Sequence, residues 1–251
     1  MASRRNDTSS TVGPKALTGK TIRRCGWCGE ATDYCAYHDE EWGFPVDDDQ
    51  RLFEKLSLEG FQAGLSWLTI LRKRENFRRA FVDFNFDRIA RWNERSVLRL
   101  LKDAGIVRHR GKIEAVLGNA RLARDLRVEF GSLGAFFWSF EPRDRDRPKK
   151  FDEKSLAAQS QTAESKAMSK ALKARGFRFV GPTTSYAFMQ SMGIVNDHAA
   201  HCDTRAIVER ARRDFERPSL GSASVGHDSH RGLDLTLSRP RRSTESGKTK
   251  S

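Results

Sequence analysis

Cysteine, long apolar runs and the alternation of strands are all nearly missing from this 251-residue sequence. Four cysteines are too few to staple a chain of this size, and no apolar stretch at the N-terminus resembles a secretory signal, so a reducing compartment is expected. Charges interrupt every apolar stretch well before the roughly 20 residues needed to cross a bilayer, which excludes a transmembrane helix. With period-2 patterning nearly absent there is little from which to build a sheet. The hydrophobic fraction of 37% still suffices for a core that folds unaided.

Positive charge is what the chain has in excess. Its 46 Lys and Arg stand against 33 Asp and Glu, a net +13, which suggests a polyanionic partner, most simply nucleic acid. The surplus is uneven: residues 1–24 carry +5 and residues 218–251 carry +3. Both ends are also rich in Ser, Thr and Gly, so they read as disordered extensions flanking one folded domain, 25–217. Such basic tails are as often solvated linkers as DNA contacts. The segment Glu141 to Ser155, with two prolines and mixed charge, reads as an internal surface loop.

Between the tails the pattern is helical. In "ERSVLRLLKDAGI" the apolar residues Val97, Leu100, Leu101 and Ala104 recur at i, i+3, i+4, i+7, with Gly105 where a left-handed cap belongs. The stretches "RLFEKLSLEGFQAGL", "SWLTILRKRENFRRAF", "GKIEAVLGNARLARDL" and "TAESKAMSKALKARG" repeat that spacing. An all-α bundle of eight to ten short helices is expected.

Three constellations could carry chemistry. In "GIVNDHAAHCDTR", His198 and Cys202 are four apart and would share one face of a helix, half of a tetrahedral zinc site. Cys25, Cys28, Cys35 and His38 near the start are candidates for the other half, and spacing alone does not choose among them. Cys25 and Cys28 form a C-x-x-C that also fits a redox pair, although the βαβ context of that motif is missing. Second, Glu59 lies in an otherwise apolar helix near Gly64 and Trp67, where a buried carboxylate needs a partner within the protein or in a ligand. Third, "KARGFRFVGPTTSYAF" reads as a helix ending at Gly176, a turn through Phe179 and Gly181, and a new helix opened by Pro182, whose exposed N–H groups would bind phosphate. "AGIVRHRGKIEA" clusters Arg108, His109, Arg110 and Lys112 at another helix start. For the first of these turns a plain pair of packed helices is the more frequent meaning, whereas four such groups together at the second favour phosphate contact.

"RCGW", "YHDEEWG", "LEGFQAGLSWLTILRKRENFRRAF", "AGIVRHRGKIEA" and "SKALKARGFRFVGPTTSYAFMQSMGIVNDH", in this order, resemble the 3-methyladenine DNA glycosylase I family over roughly Arg24 to Arg205. That family is a branch of the helix-hairpin-helix DNA glycosylases. The resemblance implies an all-α bundle whose one structural zinc, held by Cys25, His38, His198 and Cys202, joins the two ends of the core. It implies a base pocket of Tyr34, Tyr37, Trp42, Glu59 and Trp67, with Glu59 the essential carboxylate and Asp197 the alternative. It further implies DNA contacts at Gly64 and Leu65 and along the hairpin of Phe179, Val180, Gly181, Thr183 and Thr184, with Arg108, Arg110 and Lys112 in support.

The expected activity is then monofunctional hydrolysis of the N-glycosidic bond of 3-methyladenine in double-stranded DNA by a monomer with no membrane association. Such a protein would be cytoplasmic and nucleoid-associated in a bacterium, and the sequence leaves a nuclear or organellar location open. A zinc-stabilised DNA-binding module without chemistry would explain the charge and the metal ligands, but gives Glu59 no role among aromatics.

Overall fold

The computed structural model describes residues 22–219, so the expected disorder of the two tails concerns segments that lie almost entirely outside the described residues. Eleven α-helices follow in order: α1 (Thr32–Glu40), α2 (Asp49–Gln62), α3 (Trp67–Ala80), α4 (Phe86–Ile89), α5 (Glu94–Leu101), α6 (Arg110–Phe130), α7 (Leu133–Trp138), α8 (Glu153–Ala158), α9 (Ala163–Ala174), α10 (Pro182–Ser191) and α11 (Asp203–Asp214). No strand occurs among the described residues.

Local chemistry starts these helices where the sequence allows. Asp48, Ser66 and Asn93 accept from backbone N–H groups of the first turns of α2, α3 and α5, and Thr162 forms a reciprocal capping box with Ser165 at α9. The central element is α2, which packs against α3, α6, α7 and α10. Its Leu52, Phe53, Leu56, Leu58 and Phe61 are buried. Each such side chain contributes about 1.5–3 kcal/mol of transfer free energy. Two further residues of that helix, Lys55 and Glu59, are buried with them although both are ionisable.

Several local expectations change. Helix α5 ends at Leu101, and Gly105 is not left-handed: its N–H donates to Asp103 Oδ1 at 2.8 Å, a side-chain turn that replaces the glycine cap. Gly176 does take the left-handed conformation, at φ +95°, just beyond α9, and Pro182 opens α10. His198 and Cys202 do not share a helix. Residues 194–199 are irregular and Cys202 stands one residue before α11. The 141–155 segment is mostly irregular but not a free loop. Glu141 accepts from Arg147, Arg212 and Arg217, and Phe151 O accepts from Ala200 N at 2.7 Å. At the other end, Arg23 pairs with Asp203 and Arg24 with Asp39, so both residues, counted with the N-terminal extension from composition, are tied to the domain.

Candidate active site

Helices α1, α2, α3 and α10 surround a cavity of about 350 Å³ into which all five expected pocket residues converge: Tyr34, Tyr37, Trp42, Glu59 and Trp67. Tyr34 and Tyr37 come from α1 and Trp42 from the turn after it, while Glu59 rises from α2 and Trp67 opens α3. Two aromatic walls therefore meet over a carboxylate. Trp27, present in the opening stretch but not singled out from it, adds a third: its ring lies edge-on to Tyr34 at 5.0 Å and to Trp42 at 4.9 Å. Gln62, Gln190 and Glu153 also line the cavity.

Glu59 has the partner that its burial demands. Lys55, one helical turn earlier on α2, places Nζ 2.9 Å from Glu59 Oε1 and donates to Tyr37 Oη at 2.8 Å. The same ammonium lies 3.2 Å from the centre of the Trp67 ring. Burial lowers the Lys55 pKa to about 8 in spite of the opposing pull of Glu59. Burial, reinforced by Glu59, pushes the Tyr37 phenol well above its ordinary value. The Trp67 indole N–H is buried with no acceptor among the described residues. Sequence reading missed Lys55, although its i, i+4 spacing to Glu59 was a usable signal.

Asp197, the alternative carboxylate, also lines the cavity, but its Oδ2 is committed to the Tyr186 hydroxyl at 2.5 Å and to Gln190 Nε2 at 2.9 Å. Burial, with Asp197 adding to it, raises the Tyr186 phenol far above its usual range.

Beside the cavity, Cys25 Sγ, a ring nitrogen of His38 and Cys202 Sγ come within 4.8 Å of one another, all buried. His38 Nδ1 bonds Asp39 Oδ1 at 2.8 Å, which leaves Nε2 for the cluster. The hydrogen bond between the two cysteines, with burial added, pushes the Cys25 thiol up, while the same bond pulls Cys202 down to about 3, against burial and with help from His38. His198 is not one of that close group, but its ring centre is 4.8 Å from that of His38. Its Nδ1 engages Asn196 Oδ1 at 2.9 Å, and its Nε2 is buried with no hydrogen-bond partner among the described residues. Burial, with repulsion from His38, lowers the His198 pKa to about 4, so the ring is neutral and carries a free lone pair. Gly43, at φ +88°, makes room for this ring, because a Cβ there would sit 2.8 Å from His198 Cε1. Cys28 and Cys35 lie outside the ligand group, their thiols turned to the carbonyls of Cys25 and Gly29.

Not every expected DNA-contact residue faces outward. Gly64, at φ +85°, and Leu65, 43% exposed, form the tip of the turn between α2 and α3. Lys112 is not available to phosphate: it is buried and donates to the carbonyls of Phe61 and Ala63, closing the C-terminus of α2 beneath that tip. The Val180 side chain is likewise buried, its carbonyl accepting from Ser169 Oγ at 2.7 Å, so it supports the hairpin from inside. Arg110 is exposed but paired with Glu94 and Glu114, whereas Arg108 is exposed. Phe179 holds φ +57°, a strained value for a bulky residue, and packs on Gly60 of α2. Gly181, Thr183 and Thr184 open α10, where no side chain caps the first turn.

The structure superposes on a crystal structure of 3-methyladenine DNA glycosylase I with a TM-score of 0.66 and 48% identity, covering 72% of this chain and 98% of that one. It matches the Staphylococcus aureus 3-methyladenine DNA glycosylase I at TM-score 0.68 and 33% identity, over 73% and 97%. Residues 27–206 match the methyladenine glycosylase family, and the chain belongs to that family. DNA-3-methyladenine glycosylase 1 of Escherichia coli is 47% identical over 182 residues, which are 72% of this chain and 96% of that protein. The Haemophilus influenzae DNA-3-methyladenine glycosylase is 46% identical over 71% and 96%.

Proposed function

We propose that this protein excises 3-methyladenine from alkylated double-stranded DNA by hydrolysing the N-glycosidic bond. The observation that carries the reading is the convergence of five aromatic rings and Glu59 on one cavity of about 350 Å³, within the range of about 300–1,000 Å³ that takes small ligands. N3-methylation gives adenine a positive charge, and electron-rich ring faces with a buried carboxylate attract a flat cation. The unpartnered Trp67 N–H offers a donor for a ring nitrogen. The base must leave the duplex to reach this cavity, and a poorly paired lesion costs less to extrude than an intact base. Leu65 at the exposed tip is the residue to fill the gap it leaves, and the uncapped start of α10 is the phosphate grip.

In the reaction the C1′–N9 bond breaks and its electron pair moves to the base, which leaves uncharged. A water oxygen bonds to C1′, and the proton it loses passes to solvent. Glu59 holds the base while this happens. Asp197, already committed to Tyr186 and Gln190, orders the opposite part of the wall.

The reading includes a structural zinc. Two thiols, the His38 Nε2 and the orphaned His198 Nε2 form the Cys₂His₂ donor set that tetrahedral zinc takes, and a buried nitrogen with no partner fits a ligand role. When bound, the ion supplies a crosslink between the start of the domain and its end. The deciding experiment incubates the protein with methylated duplex DNA and identifies the released base. Free 3-methyladenine well above the spontaneous rate is expected. No release with DNA binding intact would leave only a binding module.

A further inference from the structure

The buried lysine has no part in the scheme above, and its position is specific. Tyr37 and Trp67 line both the base cavity and a small second cavity of about 40 Å³, whereas Lys55 lines only the second and Glu59 only the first. The two aromatic rings are thus a partition, with the base on one side and the Lys55 ammonium on the other. Lys55 lies against the rear of Trp67 and reaches Glu59 at 2.9 Å. It therefore touches two of the groups that attract a cation in the cavity, and it opposes that attraction at each. A positive charge behind an indole weakens the face in front, and a carboxylate already paired has less field to offer.

That opposition matches the chemistry, since the lesion enters charged and the freed base departs neutral. A cavity that held the base's charge too firmly would stabilise the bound lesion more than the transition state, where that charge is moving onto the sugar. We propose that Lys55 is a positioning residue that limits how much positive charge the base cavity retains, acting through Glu59 and Trp67 so that a base which sheds its charge is favoured over one that keeps it. This rests on the proposed glycosylase reading and deepens it.

The surroundings make Lys55 the group whose charge changes. From α1 and its C-cap it faces Tyr37, whose phenol is pushed up by burial, and Glu41, which is held by Arg74 of α3 at 2.6 Å. From α2 and α3 come Arg51 and the Glu54–Arg78 pair, and α10 and the turn after it present only Ser191 and Met192. Lys55 itself passes from ammonium to amine near pH 8. Above that pH its restraint on Glu59 and Trp67 lapses, and the cavity gains affinity for cations.

The test uses the full chain and two probes followed by quenching of the pocket tryptophans: neutral 3-methyladenine, and 3,9-dimethyladeninium, a fixed cation bearing a methyl where the sugar would be. In the wild-type protein the preference for the cation over the neutral base is expected to rise about tenfold as pH goes from 7 to 9. In Lys55→Arg, which keeps its charge, it stays low throughout, and in Lys55→Met the step near pH 8 disappears. A flat wild-type profile, or a step that survives in Lys55→Met, would overturn the proposal. Because the wild-type measurement needs no variant to fold, poor behaviour of Lys55→Met does not shield it. Failure of the glycosylase reading would look different: no 3-methyladenine released from methylated DNA by the wild-type protein, whatever the probes do.

Discussion

Two buried polar clusters share helix α1 and differ in how they are satisfied. Around Tyr37 the charges are complete: Glu59 has Lys55, and Lys55 has Glu59, the Tyr37 hydroxyl and the Trp67 face. Around His38, one residue on, they are not, since His198 Nε2 has nothing to bond and two thiols lean on each other and on His38. A closed cluster sets the field of a cavity, whereas an open one of soft donors calls for an ion from outside. On the proposed reading, neighbours on one helix thus divide recognition from fastening.

That division can be broken from either side. The largest effect is expected from Glu59→Gln, which should slow single-turnover excision by about 10²- to 10³-fold, the range for losing one key electrostatic group, while metal content stays at one per chain. It also strands Lys55, so the melting temperature should drop, and rates should be read well below it. Excision within threefold of wild type would remove Glu59 from the pocket. Next comes Cys202→Ser, expected to lose the metal by elemental analysis and to melt about 10 °C lower, the equivalent of roughly 3 kcal/mol in a domain of this size. Excision at low temperature should survive in part. Full metal occupancy would mean that the ligands were misassigned.

The buried lysines sharpen the contrast further. Lys112 spends its donors on two carbonyls rather than a carboxylate, so Lys112→Met should lower stability by about 1–3 kcal/mol yet leave the salt dependence of DNA binding unchanged. Arg108→Ala should do the reverse, reducing the salt slope by about one counterion. The smallest effect is expected from Cys28→Ser. Its thiol donates to the Cys25 carbonyl at 3.2 Å and more distantly to that of Gly29, contacts a hydroxyl reproduces, so metal content should hold and stability change by less than about 1 kcal/mol.

The helices were legible because their apolar residues recur at i, i+3 and i+4 and their caps are local. What was not legible depends on what a residue meets across the fold. The four-residue spacing of His198 and Cys202 mimics a helix, yet Asn196 and Arg205 hold that segment in an irregular course. Lys112 in a basic run looks like a phosphate contact, and only the approach of the α2 C-terminus turns it inward. Lys55 sits in "LFEKLSLEG", where a lysine ordinarily marks a helix's solvent side. Here α1 and α3 cover that side, and within the segment only the four-residue spacing to Glu59 hints at it. The aromatics that line the cavity were implied by the family resemblance, and cation chemistry only made sense of them afterwards, since by pattern alone each was an ordinary core residue.

Gly60 sits where the base-holding helix meets the strained Phe179 of the hairpin, and a methyl group added there would come within 3.3 Å of Phe179 Cβ. The helix that carries Glu59 and the turn before α10 are therefore in direct contact, with no room for a side chain between them. On the proposed reading, a strand held at the hairpin is positioned against Glu59 through this one contact, and a side chain at Gly60 would push Phe179 away by a few tenths of an ångström.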